Sequence, residues 1–294
     1  MYRATVKVPG SCGELVQGKI GKNNFLVTCP IDRFSRCSIK LSSTYRDYKV
    51  NIENSEKTIK AVKAALKYYG REKLGARIQI ESNLIRGKGM ASSSADITGV
   101  IGALLVALDL EIDLNLIKKL ALKIEPTDGI FLSGINIFDH ISGQLEEKLA
   151  DDLKLDILMF TEKGIVNTCQ FNKKYNLNKL KANKEPLVKK ALHLVKRGFK
   201  ENNKKKIARG ATLSCKAHQK IIYRPYIDDL IEFIKNYDYI YGINIAHSGK
   251  LLGILINSEI NEVKPVIKAV EMRYNELNFI DRHSIISGGI IIEG

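Results

Sequence analysis

The sequence predicts an α+β fold of two lobes with a cleft between them. Three observations point there. The first half of the chain reads as strands interleaved with helices, and the second as consecutive helices followed by a strand–helix–strand ending. A polar, Asn/Lys-rich stretch over 161–184 separates the halves, dividing the chain into lobes of 1–160 and 161–294. With 294 residues, 45% of them hydrophobic, there is enough apolar material for two cores.

The elements follow in order. Residues 2–8 alternate as a strand that stops at Pro9-Gly10. A tight, glycine-bearing loop over 11–18 comes next. Residues 25–29 and 33–41 are rich in β-branched and aromatic residues and predict two strands, with Asp32 in the turn between them. A short strand covers 48–53. From Ser55 to Tyr69 the apolar residues Ile59, Val62, Ala65, Leu66 and Tyr69 recur at helical spacing, and Gly70 stops the helix. A strand over 76–80 leads into a Gly/Ser stretch and then the apolar run 100–110, a buried helix. Asp113 or Asn115 caps another helix that Pro126 ends, because the residue before proline avoids helical angles and proline has no N–H. An apolar strand over 153–160 closes the first half. Helices over 185–199, 204–220 and 226–237 follow, then strands over 238–245 and 252–256, a helix over 261–276 and a last strand over 284–293 broken at Gly288-Gly289.

Composition narrows the function classes. The net charge of +15 is not spread evenly: residues 171–224 hold 17 Lys/Arg against 2 Asp/Glu and carry the whole excess. Aromatic residues are not interleaved with that charge as a base-stacking surface requires, so a solvated basic face or an electrostatic guide for anionic nucleotide is favoured over nucleic acid. The five cysteines contain no Cys-x-x-Cys, which predicts free, mostly buried thiols and no zinc site. No apolar run approaches the ~18 residues of a membrane span and the N-terminus reads directly as a strand, so the expected location is the cytoplasm.

Three stretches carry chemistry. Gly87, Lys88, Gly89, Met90, Ala91, Ser92, Ser93 and Ser94 precede the buried helix. Glycines allow close approach to a ligand, and a helix start offers free N–H donors and the positive dipole end to phosphate; an ordinary capped helix is the plain alternative. No Gly-Lys-Ser/Thr is present, so this is not a Walker A loop. Glu125 and Asp128 flank Pro126-Thr127 at a helix end, suited either to turn chemistry or to holding a metal and orienting a hydroxyl. Ser11-Cys12-Gly13-Glu14 sets one carboxylate among small residues. His140 has no partner at ligand spacing and reads as structural.

Gly89-Met90-Ala91-Ser92-Ser93-Ser94-Ala95 resembles the central motif of the GHMP kinases, Pro-x-x-x-Gly-Leu-Gly-Ser-Ser-Ala, with Ile85 in place of its Pro and Ala91 in place of its second Gly. The Pro-Gly-Ser-Cys-Gly-Glu opening, Glu125-Pro126-Thr127-Asp128, Phe138-Asp139-His140 and Arg209–Ser214 resemble the L-threonine kinase branch of cobalamin biosynthesis. Ala246-His247-Ser248-Gly249 is a shortened form of the family's third, glycine-rich motif. The resemblance implies an N-terminal ribosomal S5 domain 2-like lobe and a C-terminal ferredoxin-like α/β lobe. It implies ATP bound by residues 87–94, Mg²⁺ held by Ser93 and Glu125, and Asp128 accepting or orienting the hydroxyl proton. Ser11, Cys12, Gly13, Glu14, Ser248 and Gly249 then face the substrate. The implied reaction is phosphorylation of the L-threonine hydroxyl. A sibling reaction on homoserine or an isoprenoid alcohol stands as the alternative, and a non-enzymatic RNA-binding protein as a remote one.

Overall fold

The computed structural model describes residues 1–162 and 177–293, with side chains in the second segment from Lys184 onward. Strands β1 to β11 form one sheet; along its main path the order is β10-β7-β9-β8-β1-β2-β4-β3. Strands β1 (Tyr2–Ile20) and β2 (Asn23–Ser42) are its antiparallel spine, flanked by β3 (Tyr48–Val50), β4 (Gly75–Ser82), β5 (Ile135–Phe138) and β6 (Glu146–Ala150). Strands β7 (Leu155–Glu162), β8 (Ile240–Ile245), β9 (Leu251–Asn257) and β10 (Leu277–Ser284) form the other side, and β11 (Ile291–Glu293) returns to β1. The two sides join where Glu14 pairs with Ile245.

Seven α-helices are described: α1 (Glu56–Tyr68), α2 (Ser92–Ala107), α3 (Leu114–Ile124), α4 (Leu177–Lys200), α5 (Lys204–His218), α6 (Ile227–Phe233) and α7 (Lys264–Arg273). Helix α2 is buried around nearly its whole circumference, which its Ala/Leu/Ile composition permits. A second core, built from Leu158, Phe160, Leu230, Ile243, Ile254 and Val270 among others, lies between the β7–β9 side and α6 and α7. The architecture is therefore two-lobed α+β, with a sheet-rich N-terminal lobe and an α/β C-terminal lobe.

Several boundaries differ from the sequence expectation. The segment 11–18 is not a loop: β1 runs on through it, with register shifts at Pro9/Gly10, Ser11/Glu14 and Glu14/Val16. These irregularities absorb the glycines without ending the strand and re-aim Glu14. Pro30 and Asp32 likewise lie inside β2, and Asp32 meets the His283 ring at 2.7 Å instead of making a turn. The serines are not ahead of a helix at 100–110 but form the first turn of α2. Helix α4 starts before Glu185 and contains Pro186, so the expected linker is partly helical. Helix α7 is shorter than 261–276. The last strand divides, since β10 ends at Ser284 and β11 begins at Ile291. Strands β5 and β6 had no clear alternation to announce them. Cys12, Cys29, Cys37 and Cys215 are buried and free, whereas Cys169 lies outside the described residues. No helix is long and apolar enough to cross a membrane among the described residues.

Candidate active site

The stretch 87–91 is wedged between β1 and the turn linking β8 to β9. Ser11 N–H donates to the Met90 carbonyl at 3.1 Å, and Lys250 N–H to the Lys88 carbonyl at 2.9 Å. A Cβ on Gly249 would stand 2.6 Å from the Lys88 carbonyl carbon. Gly89, at φ +96, would carry a Cβ only 3.2 Å from Gly249 Cα. Glycine at both positions is therefore a condition of this contact.

Ala91 adopts φ 56, ψ 24 and is the N-cap of α2 without a side-chain cap. Its carbonyl accepts from Ala95 N–H at 2.9 Å, which starts the helix. The N–H groups of Ser92, Ser93 and Ser94 consequently have no partner within the helix. Together with the dipole they make an anion-favouring terminus.

Beyond Ile124 the chain is extended: Glu125 has β-region angles, and Pro126 prevents another helical turn. Thr127, buried, ties the segment down through Oγ1 to the Glu125 carbonyl at 2.9 Å and N–H to the His140 carbonyl at 3.0 Å. The two acidic side chains then meet consecutive serines. Ser93 Oγ donates to Glu125 Oε1. Asp128 N–H donates to Ser94 Oγ at 3.0 Å, and Ser94 Oγ lies 3.5 Å from Asp128 Oδ2. Lys57, from α1, pairs with the other Glu125 oxygen. Burial, with Glu14 and Glu125 adding repulsion, pushes the Asp128 carboxyl up to about 7.

Glu14 stands on the β1 irregularity beside β8. Gly13, at φ +57, passes so close to that strand that a Cβ would lie 2.5 Å from Ala246 N. Cys12 contributes its backbone, its carbonyl accepting from Asn244 Nδ2 at 2.6 Å, while burial raises the thiol well above its usual range and leaves it inert. Glu14 Oε2 accepts from His247 N–H at 3.1 Å and contacts His247 Nδ1 at 2.8 Å. Burial raises the Glu14 carboxyl to about 7, opposed by the His247 N–H and by Lys184.

The structure thus brings Ser93, Ser94, Glu125 and Asp128 together. Ser11, Gly89, Met90 and Gly249 join through backbone packing, with Ser248 in the same turn and Gly87 and Lys88 leading into it. Lys88 Nζ points elsewhere, donating to the Glu162 carbonyl at 3.1 Å. Sequence reasoning passed over Lys57, Lys184, Arg224, Asn244 and His247. Lys184 is buried and donates to the Gln17 carbonyl at 3.2 Å; Arg224 is buried between Glu162 and the Gly249 carbonyl. Both belong to the segment read as a basic face. Their partners lie far away in sequence, and only His247, inside the Ala246-His247-Ser248-Gly249 motif, carried any local signal.

No group of three His, Cys, Asp or Glu that could hold a metal exists among the described residues. Ser93 and Glu125 offer hard oxygen donors instead. That fits magnesium, which commonly takes one or two protein oxygens and completes its sphere with phosphates and water.

The chain resembles known proteins in sequence and in fold. Residues 56–138 match the family described as GHMP kinases N terminal domain. The chain is 25% identical over 292 residues to an L-threonine kinase of Citrobacter freundii, covering 99% of this chain and 100% of that protein. It is 27% identical over 260 residues to an L-threonine kinase of Salmonella typhimurium, covering 88% and 85%. The fold resembles a mevalonate diphosphate decarboxylase from Staphylococcus aureus, with TM-score 0.76, 13% identity and coverage of 100% and 98%. It also resembles a homoserine kinase from Cytophaga hutchinsonii, with TM-score 0.73, 15% identity and coverage of 100% and 98%.

Proposed function

We propose that the chain, which is similar to GHMP kinases over residues 56–138 and to L-threonine kinases over 88–99% of its length, is an ATP-dependent small-molecule kinase of that superfamily and phosphorylates the side-chain hydroxyl of L-threonine. The product is O-phospho-L-threonine, destined for cobalamin biosynthesis in the cytoplasm. One observation carries the reading. Glu125 and Asp128 each meet one of two consecutive serines on the phosphate-favouring first turn of α2. Phosphoryl transfer asks for a phosphate cradle, a metal position and a placed nucleophile, and these residues supply one of each.

In this scheme the stretch 87–94 receives the triphosphate. Ser93 and Glu125 hold Mg²⁺, which when bound neutralises charge on the phosphates. Lys57 must then share or release Glu125. Asp128, whose raised carboxyl suits proton transfer near neutrality, accepts the hydroxyl proton. The threonine oxygen bonds to the γ-phosphorus, and the bond from phosphorus to the β–γ bridging oxygen breaks. Ser11, Cys12, Gly13, Ser248 and Gly249 line the acceptor side, with Glu14 turned to the ammonium of the amino acid. The relatives named L-threonine kinases, matched over 88–99% of this chain, favour threonine over other alcohols.

An ADP-release assay across L-threonine, L-serine, homoserine and mevalonate tests the proposal. Threonine is expected to give the highest kcat/KM. Preference for mevalonate, or no turnover with any amino alcohol, would overturn it.

A further inference from the structure

We propose that His247 is a positioning residue that orients Glu14 and so makes the site selective for a hydroxylated substrate carrying a cationic amino group. The inference rests on the kinase reading above and deepens it, assigning substrate class to a side chain whose own role the motifs leave open.

Glu14 Oε2 receives the His247 backbone N–H at 3.1 Å and faces its ring Nδ1 at 2.8 Å. Above about pH 7, where Glu14 is ionised, its oxygens can only accept, so Nδ1 carries the proton. Burial, with Lys184 and Arg224 close by, holds the ring well below the usual histidine range and therefore neutral. Its Nε2 is then an acceptor. Ser214 Oγ lies 3.4 Å from that nitrogen and itself accepts from Gln17 N–H at 3.2 Å, which leaves the serine proton free to point at the ring. A single direction results, from the β1 backbone through Ser214 on α5 and His247 to Glu14. Ser214 and His247 are 1% and 3% exposed, so water does not compete along it.

The consequence lies at the other oxygen. Among the described residues Glu14 Oε1 accepts no hydrogen bond, yet it is not sealed from solvent as fully buried atoms are. With Oε2 pinned by two donors, Oε1 is the oxygen left to accept a further donor, beside a neutral ring. Its natural complement is an N–H of an ammonium group, through a charge-assisted bond. An alcohol bearing only a carboxylate would meet repulsion there instead.

The test uses the full chain and two substrates that differ only in the amino group: L-threonine and 3-hydroxybutyrate. Wild type is expected to prefer threonine. His247→Ala should raise the threonine KM about 10- to 100-fold, the scale of one lost hydrogen bond to a charged group. It should leave kcat within about threefold. The 3-hydroxybutyrate KM should stay put, so the preference shrinks by the same factor. His247→Asn, which keeps a donor near Nδ1, should recover most of the preference. An unchanged threonine KM in His247→Ala, or equal weakening of both substrates, would overturn the proposal. ¹⁵N NMR of histidine-labelled protein gives a check that needs no turnover: His247 is expected as the neutral Nδ1–H tautomer, and an Nε2–H tautomer would refute the relay. If wild type turns over neither substrate but the Nδ1–H tautomer is found, the functional reading fails while the geometry of Glu14 stands.

Discussion

Replacing Asp128 by Asn should make the protein more stable and less active, and pH should separate the two effects. The folded carboxyl titrates at about 7, raised by burial and by Glu14 and Glu125, against an ordinary value near 3.8. The folded state therefore binds this proton more tightly than the unfolded chain. Stability that protonation supplies is complete below about pH 4 and is lost as pH rises through about 7. A displacement of roughly three units corresponds to about 4 kcal/mol. Asp128 is only partly buried, and solvent screening leaves about 1–2 kcal/mol of that. The amide preserves the shape and removes the charge. Asp128→Asn should consequently raise the melting temperature by about 2–6 °C at pH 8 and change it little at pH 4. The measurement is a metal-free thermal melt at both pH values. A gain of equal size at pH 4 and pH 8 would refute the assignment to a raised carboxyl. In the coupled assay the same variant should lose about 10²- to 10⁴-fold in kcat if Asp128 takes the proton. A loss under threefold removes it from that role whatever the melts show.

Ser93→Ala and Glu125→Gln should each raise the Mg²⁺ concentration for half-maximal turnover about tenfold or more, read from a metal titration at saturating nucleotide. Gly249→Ala drives a Cβ against the Lys88 backbone, at 2.6 Å from its carbonyl carbon. It should cost about 1–3 kcal/mol in chemical denaturation and weaken nucleotide binding more than threonine binding. Arg86→Ala removes the cation that meets buried Asp96 at 2.6 Å. Because Arg86 is half exposed, the expected cost is about 1–2 kcal/mol at pH 8. The Asp96 carboxyl is already raised by burial, with Ser35 and Arg86 opposing, so losing Arg86 raises it further. The destabilisation should then fade toward acid pH, where the carboxyl is protonated.

Much of the scaffold was legible because it is written locally. Helical spacing marked α1, glycine and proline marked its end and that of α3, an apolar run marked β7, and alternation marked β8. The central Gly/Ser motif and the Glu125–Asp128 pair were visible as compact patterns. What the pattern rules misjudged were the places where tertiary contacts override local signals. Ser11–Gly18 and Pro30–Asp32 look like turns, yet pairing along β1 and β2 carries both strands through them with bulges. Lys184 and Arg224 look like part of a solvated basic face, yet both are turned inward toward the site.

The sequence by itself determined the chemistry available here: three serines at a helix start, two carboxylates around a proline, and one carboxylate among small residues and glycines. Only the tertiary structure decided the pairing of Ser93 with Glu125 and Ser94 with Asp128, the Lys57 contact to Glu125, and the His247 clasp on Glu14. The reason is physical. Helix starts and proline breaks depend on a few neighbouring dihedrals, whereas partners 32 to 233 residues apart are chosen by how the sheet and helices pack.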